Sequence, residues 1–170
     1  MTTVAGENSG IRRYGDFQVR LWQPDDRDAV VALLGQVLAE YGLNFEPEEA
    51  DQDVVDVQAH YMDRHGEFWV IELDGKLVGT AAFFPLHGRP EVAEIRKMYL
   101  LPPARGKGLG RWLLELLEER ARECGFHYAR LETAAVLKEA IAIYESAGYT
   151  TAPDSVATRR CDRVLIKPLR

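Results

Sequence analysis

Phe17, Val19 and Leu21 alternate with polar neighbours, the period of a half-buried strand. Pro24-Asp25-Asp26 then opens a helix with acids in its first turn, where the helix dipole favours them. Val30, Leu33, Leu34, Val37 and Leu38 give that helix its apolar stripe, and Gly42 ends it. A second, acidic helix is predicted from Pro47 to about Met62, with Val54, Val57 and Tyr61 on one face. Phe68–Leu73 and Lys76–Phe84 read as strands joined by Asp74-Gly75, a dipeptide that accepts the positive φ values of a type I′ hairpin turn. Pro85–Pro90 is a loop and Glu91–Leu101 the next strand, which Pro102-Pro103 stops because proline cannot donate to a ladder. The strongest helix follows: Leu109, Trp112, Leu113, Leu116, Leu117, Ala121 and Cys124 fall at helical spacing, and Gly125 stands where a C-terminal glycine cap belongs. His127–Thr133 is a strand, Lys138–Ala147 a short helix closed by Gly148, and Arg163–Ile166 a last strand. Met1–Gly15 is small, polar and aperiodic, and reads as a loose tail.

Hairpin-joined strands must be antiparallel, whereas the strand, long helix and strand of residues 91–133 must be parallel. The pattern therefore predicts an α/β fold: one domain, residues 16–170, with a mixed sheet of about six to seven strands flanked by about four helices. A chain of 170 residues suits one domain. Apolar residues at 46% and charged residues at 28% exclude a disordered or collagenous chain. No apolar run approaches a membrane span, and Met1–Gly10 lacks the pattern of a signal peptide, so the expected location is the cytoplasm, with no membrane partner. Cys124 and Cys161 make neither a disulfide framework nor a metal site and read as small, partly buried hydrophobes; no metal is expected.

The net charge of -6 argues against nucleic acid as a partner, and its distribution is uneven. Residues 1–39 carry -1, residues 40–67 carry -8 and residues 68–170 carry +3, while Ile95–Leu114 holds Arg96, Lys97, Arg105, Lys107 and Arg111 with no acid. Inside that basic stretch, Arg105-Gly106-Lys107-Gly108-Leu109-Gly110-Arg111 runs straight into the long helix. Glycines on alternate positions permit a sharp turn or a close approach, and a helix N-terminus presents unpaired N–H groups suited to phosphate oxygens. Two familiar phosphate loops fail. After Gly106-Lys107 comes Gly108 instead of the hydroxyl that a Walker loop needs, and a dinucleotide fingerprint begun at Gly108 would meet Leu113 at its third glycine.

The spacing that fits is Arg105-x-x-Gly108-x-Gly110 between a strand and a long amphipathic helix. Here the sequence resembles the GNAT family of N-acetyltransferases, whose acetyl-CoA loop reads (R/Q)-x-x-G-x-(G/A). The resemblance extends upstream through Ala93–Leu100 and downstream through Ala140–Tyr149, where members commonly end in Y-x-x-x-G-(F/Y), here Tyr144, Gly148 and Tyr149. It implies that the amides of about Arg105–Gly110, with Arg111 beside them, cradle the pyrophosphate of acetyl-CoA. It also implies that the strand about Met98, Tyr99 and Leu100 pairs with the pantetheine arm and that the Met98 amide faces the thioester carbonyl, where amine attack develops negative charge. One departure stands out: many members carry Asn where this chain has Leu137, so any contact made by that amide is absent.

The resemblance places the general acid for the departing thiolate at Tyr144, and a phenol of pKa ~10 can serve a thiol of pKa ~8.5 within hydrogen-bond reach. Glu94 stands eleven residues before Arg105, where some members carry a glutamate base. On a regular strand it would share a face with Met98 and Leu100, a register that a bulge would change. Glu46, Glu48, Glu49, Asp51, Asp53 and Asp56 fall in the second helix, which in this family borders the acceptor groove, and could attract a cationic amine. His87 is the one histidine placed to touch a substrate. The expected activity is direct transfer from acetyl-CoA to a small-molecule or peptide amine in a ternary complex. The alternatives are a non-catalytic CoA sensor on the same scaffold and a nucleotide-binding regulator. Whether the chain forms a homodimer is left open by the sequence.

Overall fold

A computed structural model describes residues 10–153 and 161–170. The eight strands of these residues form one sheet in the order β1-β2-β3-β4-β5-β6-β8-β7. They are β1 Arg12–Tyr14, β2 Phe17–Leu21, β3 Glu67–Leu73, β4 Lys76–Leu86, β5 Arg89–Leu100, β6 Tyr128–Thr133, β7 Thr150–Thr151 and β8 Arg163–Pro168. The helices are α1 Arg27–Glu40, α2 Gln52–Val55, α3 Val57–His60, α4 Leu109–Glu123 and α5 Lys138–Ser146. Among the described residues only β5 and β6 pair in parallel, across α4, as the strand, helix, strand pattern requires.

Each sheet face buries a separate core. On one side α4 packs Leu109, Leu113, Leu114, Leu117 and Ala121 against strand residues such as Phe83, Ile95 and Leu131. On the other, Val30, Leu33, Leu34 and Val37 of α1 meet Val54, Val57, Tyr61 and Phe68. The Asp74-Gly75 turn has φ of +51° and +78°, the pair of positive values predicted for it.

Four expectations are corrected. Residues 12–14, read as tail, form an edge strand on β2, with Tyr14 opposite Phe17; three residues are too few to show a period of two. The rest of the tail, residues 1–9, lies outside the described residues. The second helix is broken into α2 and α3, because Asp51 accepts from the Glu46 amide at 2.8 Å and Asp56 caps Ala59 at 3.1 Å, local bonds that compete with a continuous helix. The loop at Pro85–Pro90 shrinks to the His87-Gly88 turn, with Leu86 opposite Arg89. Pro85 is tolerated in β4 because β3 pairs with that strand only as far as Phe83. Cys124, assigned to the buried stripe of α4, caps the helix and is exposed, while Cys161 is half-buried.

Arg20 ties β2, β3 and the entry to α1 together: its guanidinium donates to both Asp26 oxygens at 2.8 Å and to Glu72 at 2.7 Å. Burial alone would raise the pKa of Asp26, but hydrogen bonds from Arg20 and the Gln23 amide outweigh it and hold the carboxyl below the usual carboxylate range. Its contribution is therefore present at neutral pH and lost as pH falls through the lowered folded-state pKa. Asp26→Asn is expected to lower the melting temperature at pH 7, with the gap to wild type closing in a thermal melt series as pH falls through the lowered pKa of Asp26.

Candidate active site

The parallel pairing of β5 and β6 runs from Val92 opposite Tyr128 to Ile95 opposite Leu131 and stops. Beyond it β5 follows β4 to Leu100, whereas β6 follows β8 to Thr133, so the two strands part. The departure coincides with a bulge in β5. Lys97 and Met98 together face the single Ala81 of β4, and Lys97 takes φ of +55°, uncommon for a residue with a side chain. Thr80 Oγ1 donates to the Lys97 carbonyl at 2.6 Å. The Lys97 ammonium, 4% exposed, donates to Asp51, 0% exposed, at 2.7 Å and lies 3.4 Å from Asp53.

The bulge reverses the alternation of side chains. Met98 and Leu100 pack with Ile95 on the α4 face, and Tyr99 packs on the α1 face. Glu94 lies with Arg96 on the side of α2, so the shared face of Glu94, Met98 and Leu100 expected from a regular strand does not form.

Between the parted strands lies a cleft of about 160 Å³ that Ile95, Met98, Leu100, Leu131, Ile143 and Tyr144 line, with Arg105 and Gly110 on its loop side. Gly106 and Gly108 take φ of +72° and +79° to turn the chain into α4. Among the described residues the amides of Gly106, Lys107 and Gly108 donate to no backbone carbonyl. Helix geometry leaves those of Leu109, Gly110 and Arg111 equally without an intrahelical acceptor. These amides form an anion cradle of backbone donors.

The side chains of the loop are mostly engaged elsewhere. Arg105 pairs with Glu40 at 2.7 Å and donates to the Leu100 carbonyl at 2.9 Å, which braces the loop against the end of β5. Lys107 Nζ lies 5.4 Å from the Phe17 ring centroid. Arg111 reaches Glu115 and Ser146, and Leu109, 1% exposed, belongs to the core. Tyr14, missed as part of the tail, donates to the Lys107 carbonyl at 2.6 Å and stands 2.7 Å from where a Cβ on Gly108 would lie. A side chain at Gly108 would thus collide with Tyr14 as well as narrowing the approach to the amides.

Tyr144 reaches the cleft from α5. It is buried, its ring stands edge-on to Tyr149 at 6.0 Å, and its hydroxyl lies 4.0 Å from the Met98 sulfur, a weak acceptor. Burial, with Tyr99 and Cys161 adding, raises its pKa above that of an ordinary phenol, so it keeps its proton at neutral pH. Leu137 lines the same cleft with an aliphatic side chain.

A second groove, of about 370 Å³, lies beyond Glu94. Glu94 is 5% exposed and lies 3.2 Å from Arg130 and 3.9 Å from Arg96. Burial raises its pKa against the pull of both arginines, and Glu132 raises it further. Glu132 of β6 and Arg96 line both the cleft and the groove, so the two cavities meet at them. Reasoning from sequence passed over Glu132, because the alternation Leu131-Glu132-Thr133 reads as an apolar face and a solvated one, whereas the polar face here lines the cavities. His87 borders the groove, and so does His60, which the sequence did not single out. The acidic segment is corrected in part: Asp51 and Asp53 are buried against Lys97 and Tyr61 and Glu46 is half-buried, while Glu48, Glu49 and Asp56, which caps α3, are exposed. Among the described residues no group of three or more His, Cys, Asp and Glu side chains could hold a metal ion, and no helix is long and apolar enough to cross a membrane.

A cradle of helix N-terminal amides beside a cleft between two parting strands, with a protonated phenol inside it, suits a group-transferring enzyme that holds a phosphate-bearing ligand and has a proton to give. Residues 34–149 match the model of the Acetyltransferase (GNAT) family, and the chain belongs to that family. It is 41% identical over 127 residues to the uncharacterized N-acetyltransferase YjgM of Escherichia coli, covering 73% of this chain and 76% of that one. It is 30% identical over 128 residues to the aminoalkylphosphonate N-acetyltransferase of Salmonella typhimurium, covering 74% and 79%. The fold matches that of Salmonella typhimurium yncA, solved with its cofactor acetyl-CoA, at a TM-score of 0.73, 22% identity and coverage of 92% and 95%. The chain is an acetyltransferase with one mixed sheet, of eight strands among the described residues against the six to seven predicted.

Proposed function

We propose that the protein transfers an acetyl group from acetyl-CoA to a primary amine by direct attack in a ternary complex. The observation that carries this reading is the meeting of two cavities at one pair of strands. The cleft holds the Tyr144 hydroxyl and is edged by Arg105 and Gly110 of the loop whose amides at Gly106, Lys107 and Gly108 donate to no backbone carbonyl among the described residues, and the adjoining groove holds Glu94. Acetyl-CoA supplies the activated thioester. The amides of Gly106–Arg111 suit its pyrophosphate, the backbone at Met98 supplies a donor for the carbonyl oxygen, and Tyr144 gives its proton to the departing sulfur. Glu94 takes a proton from the attacking amine. The Salmonella relative is named for aminoalkylphosphonates, which recommends amines that carry an acid group for the acceptor panel. Release of free thiol from acetyl-CoA, measured across amino acids, aminophosphonates, polyamines, aminoglycosides and peptides, tests the reading. Binding of CoA without amine-dependent thiol release would instead identify a CoA sensor.

The role of Glu94 has its own test. Neutralising an amine of pKa ~10.4 at pH 7 costs about 4.6 kcal/mol, against about 1 kcal/mol for one of pKa ~7.8. Glu94→Gln is expected to lower kcat/KM by ~10² or more for the first and by less than ~10-fold for the second. The carboxylate must be ionised to act, and its pKa is raised, so wild-type activity is expected to fall as pH drops through a value above the usual carboxylate range. The variant should lack that limb of the pH profile. Equal slowing of both amines would remove Glu94 as the base.

A further inference from the structure

The groove beyond Glu94 carries cations that an amine does not need. Two guanidinium groups approach one aromatic side chain in its wall: Arg64 Cζ lies 5.0 Å and Arg96 Cζ 5.4 Å from the ring centroid of Phe84. Their surroundings differ. Arg96 is held by Asp53 at 3.8 Å, Glu94 at 3.9 Å and the Ala50 carbonyl at 3.4 Å. Arg64 is exposed and makes no ion pair among the described residues. An exposed arginine without a carboxylate is common on a protein surface. This one, however, rests on the wall of the groove that also contains Glu94 and Glu132. Contact with the ring limits the positions a guanidinium can adopt while its edge N–H donors remain available, and their fork matches a carboxylate or a phosphonate.

The groove therefore offers both signs of charge. Carboxylates stand where it joins the cleft, suited to the attacking ammonium, and an uncommitted guanidinium stands along its wall. A simple alkylamine gains nothing from Arg64, and a diamine would bring a second cation towards it. We propose that the acceptor is a small zwitterion, a primary amine that also carries a carboxylate or phosphonate, and that Arg64 binds its acid group. This rests on the N-acetyltransferase reading of the site.

Thiol release from acetyl-CoA is measured with β-alanine, 2-aminoethylphosphonate, propylamine and putrescine, for the wild-type chain, Arg64→Gln and Arg64→Lys. One or both acid-bearing amines are expected to exceed propylamine and putrescine in kcat/KM by ~10², and their ratio reports which acid is preferred. Arg64→Gln is expected to raise KM for the preferred zwitterion by ~10-fold or more, as for a lost hydrogen bond to a charged group. Arg64→Lys should restore part of the affinity, and added salt should shrink the difference because the site is exposed. The KM for acetyl-CoA, followed in the same assays, should stay within about twofold and reports that the variants are folded. Propylamine or putrescine turned over as well as the zwitterions, or an Arg64→Gln variant with unchanged KM for them, overturns the zwitterion proposal while leaving the acetyltransferase reading intact. Absence of thiol release with every amine, although acetyl-CoA raises the melting temperature, overturns both.

Discussion

Tyr144→Phe is expected to lower kcat by ~10² to 10⁴ while leaving the affinity for acetyl-CoA unchanged. Phenylalanine keeps the ring in its packing against Tyr149 and removes only the hydroxyl, which donates at 4.0 Å to the Met98 sulfur, a weak acceptor. Little stability is therefore lost with it. Burial keeps the phenol protonated across the neutral range, so the wild-type enzyme should not lose its acid below about pH 10. The experiment combines steady-state kinetics with a thermal shift by acetyl-CoA. A variant that melts lower than wild type but turns over normally per folded molecule would make Tyr144 a packing residue.

The second large effect concerns the bulge. Lys97→Met is expected to destabilise the fold by about 3–5 kcal/mol, the usual result of removing one member of a buried ion pair. For a domain of this size that is a fall in melting temperature of roughly 10 °C. The substitution removes the ammonium that Asp51 and Asp53, both buried, share and puts an apolar side chain in its place. Two further variants separate charge from backbone strain. Lys97→Gly accepts the positive φ without cost yet also removes the ammonium, so it should be almost as unstable as Lys97→Met if the ion pair dominates. Adding Asp51→Asn to Lys97→Met should recover part of the loss through the coupling of the two sites. A Lys97→Gly protein as stable as wild type would show that the ammonium does not anchor the bulge.

Both predictions depend on a feature that no residue pattern announces. Ile95-Arg96-Lys97-Met98 reads as a continuous strand, and nothing in it marks the position at which one extra residue enters. The bulge is held by Asp51, 46 residues earlier, and by Thr80, 17 residues earlier. Its effect is to put Glu94 and Met98 on opposite faces of the sheet. The basic stretch of residues 95–114 changes its meaning for a similar reason. Arg96, Lys97 and Arg105 stand in a stretch without a single acid in sequence, but they find Asp53, Asp51 and Glu40 in the fold. At the loop the backbone amides remain as donors for an anion, with the exposed Lys107 beside them.

Local rules did determine much of this protein. Alternation located β2, because the pleat puts neighbouring side chains on opposite faces, while the runs on either side of Asp74-Gly75 located β3 and β4 and the Pro102-Pro103 stop bounded β5. A stripe at helical spacing located α1 and α4, and the requirement for positive φ located the Asp74-Gly75 turn. The alternate glycines before α4 marked the loop, because close turns there exclude side chains, and the ordered motifs from Ala93 to Tyr149 identified the family. The tertiary structure alone decided which charges are spent on one another and which remain available for a ligand. It drew Asp51 and Asp53 inward to Lys97, fastened the loop through Tyr14, brought Glu132 to the junction of the two cavities and left Arg64 on the groove wall. The physical reason is that periodicity depends on the geometry of a few successive residues, whereas ion pairing and desolvation depend on which distant residues the folded sheet brings within a few ångströms.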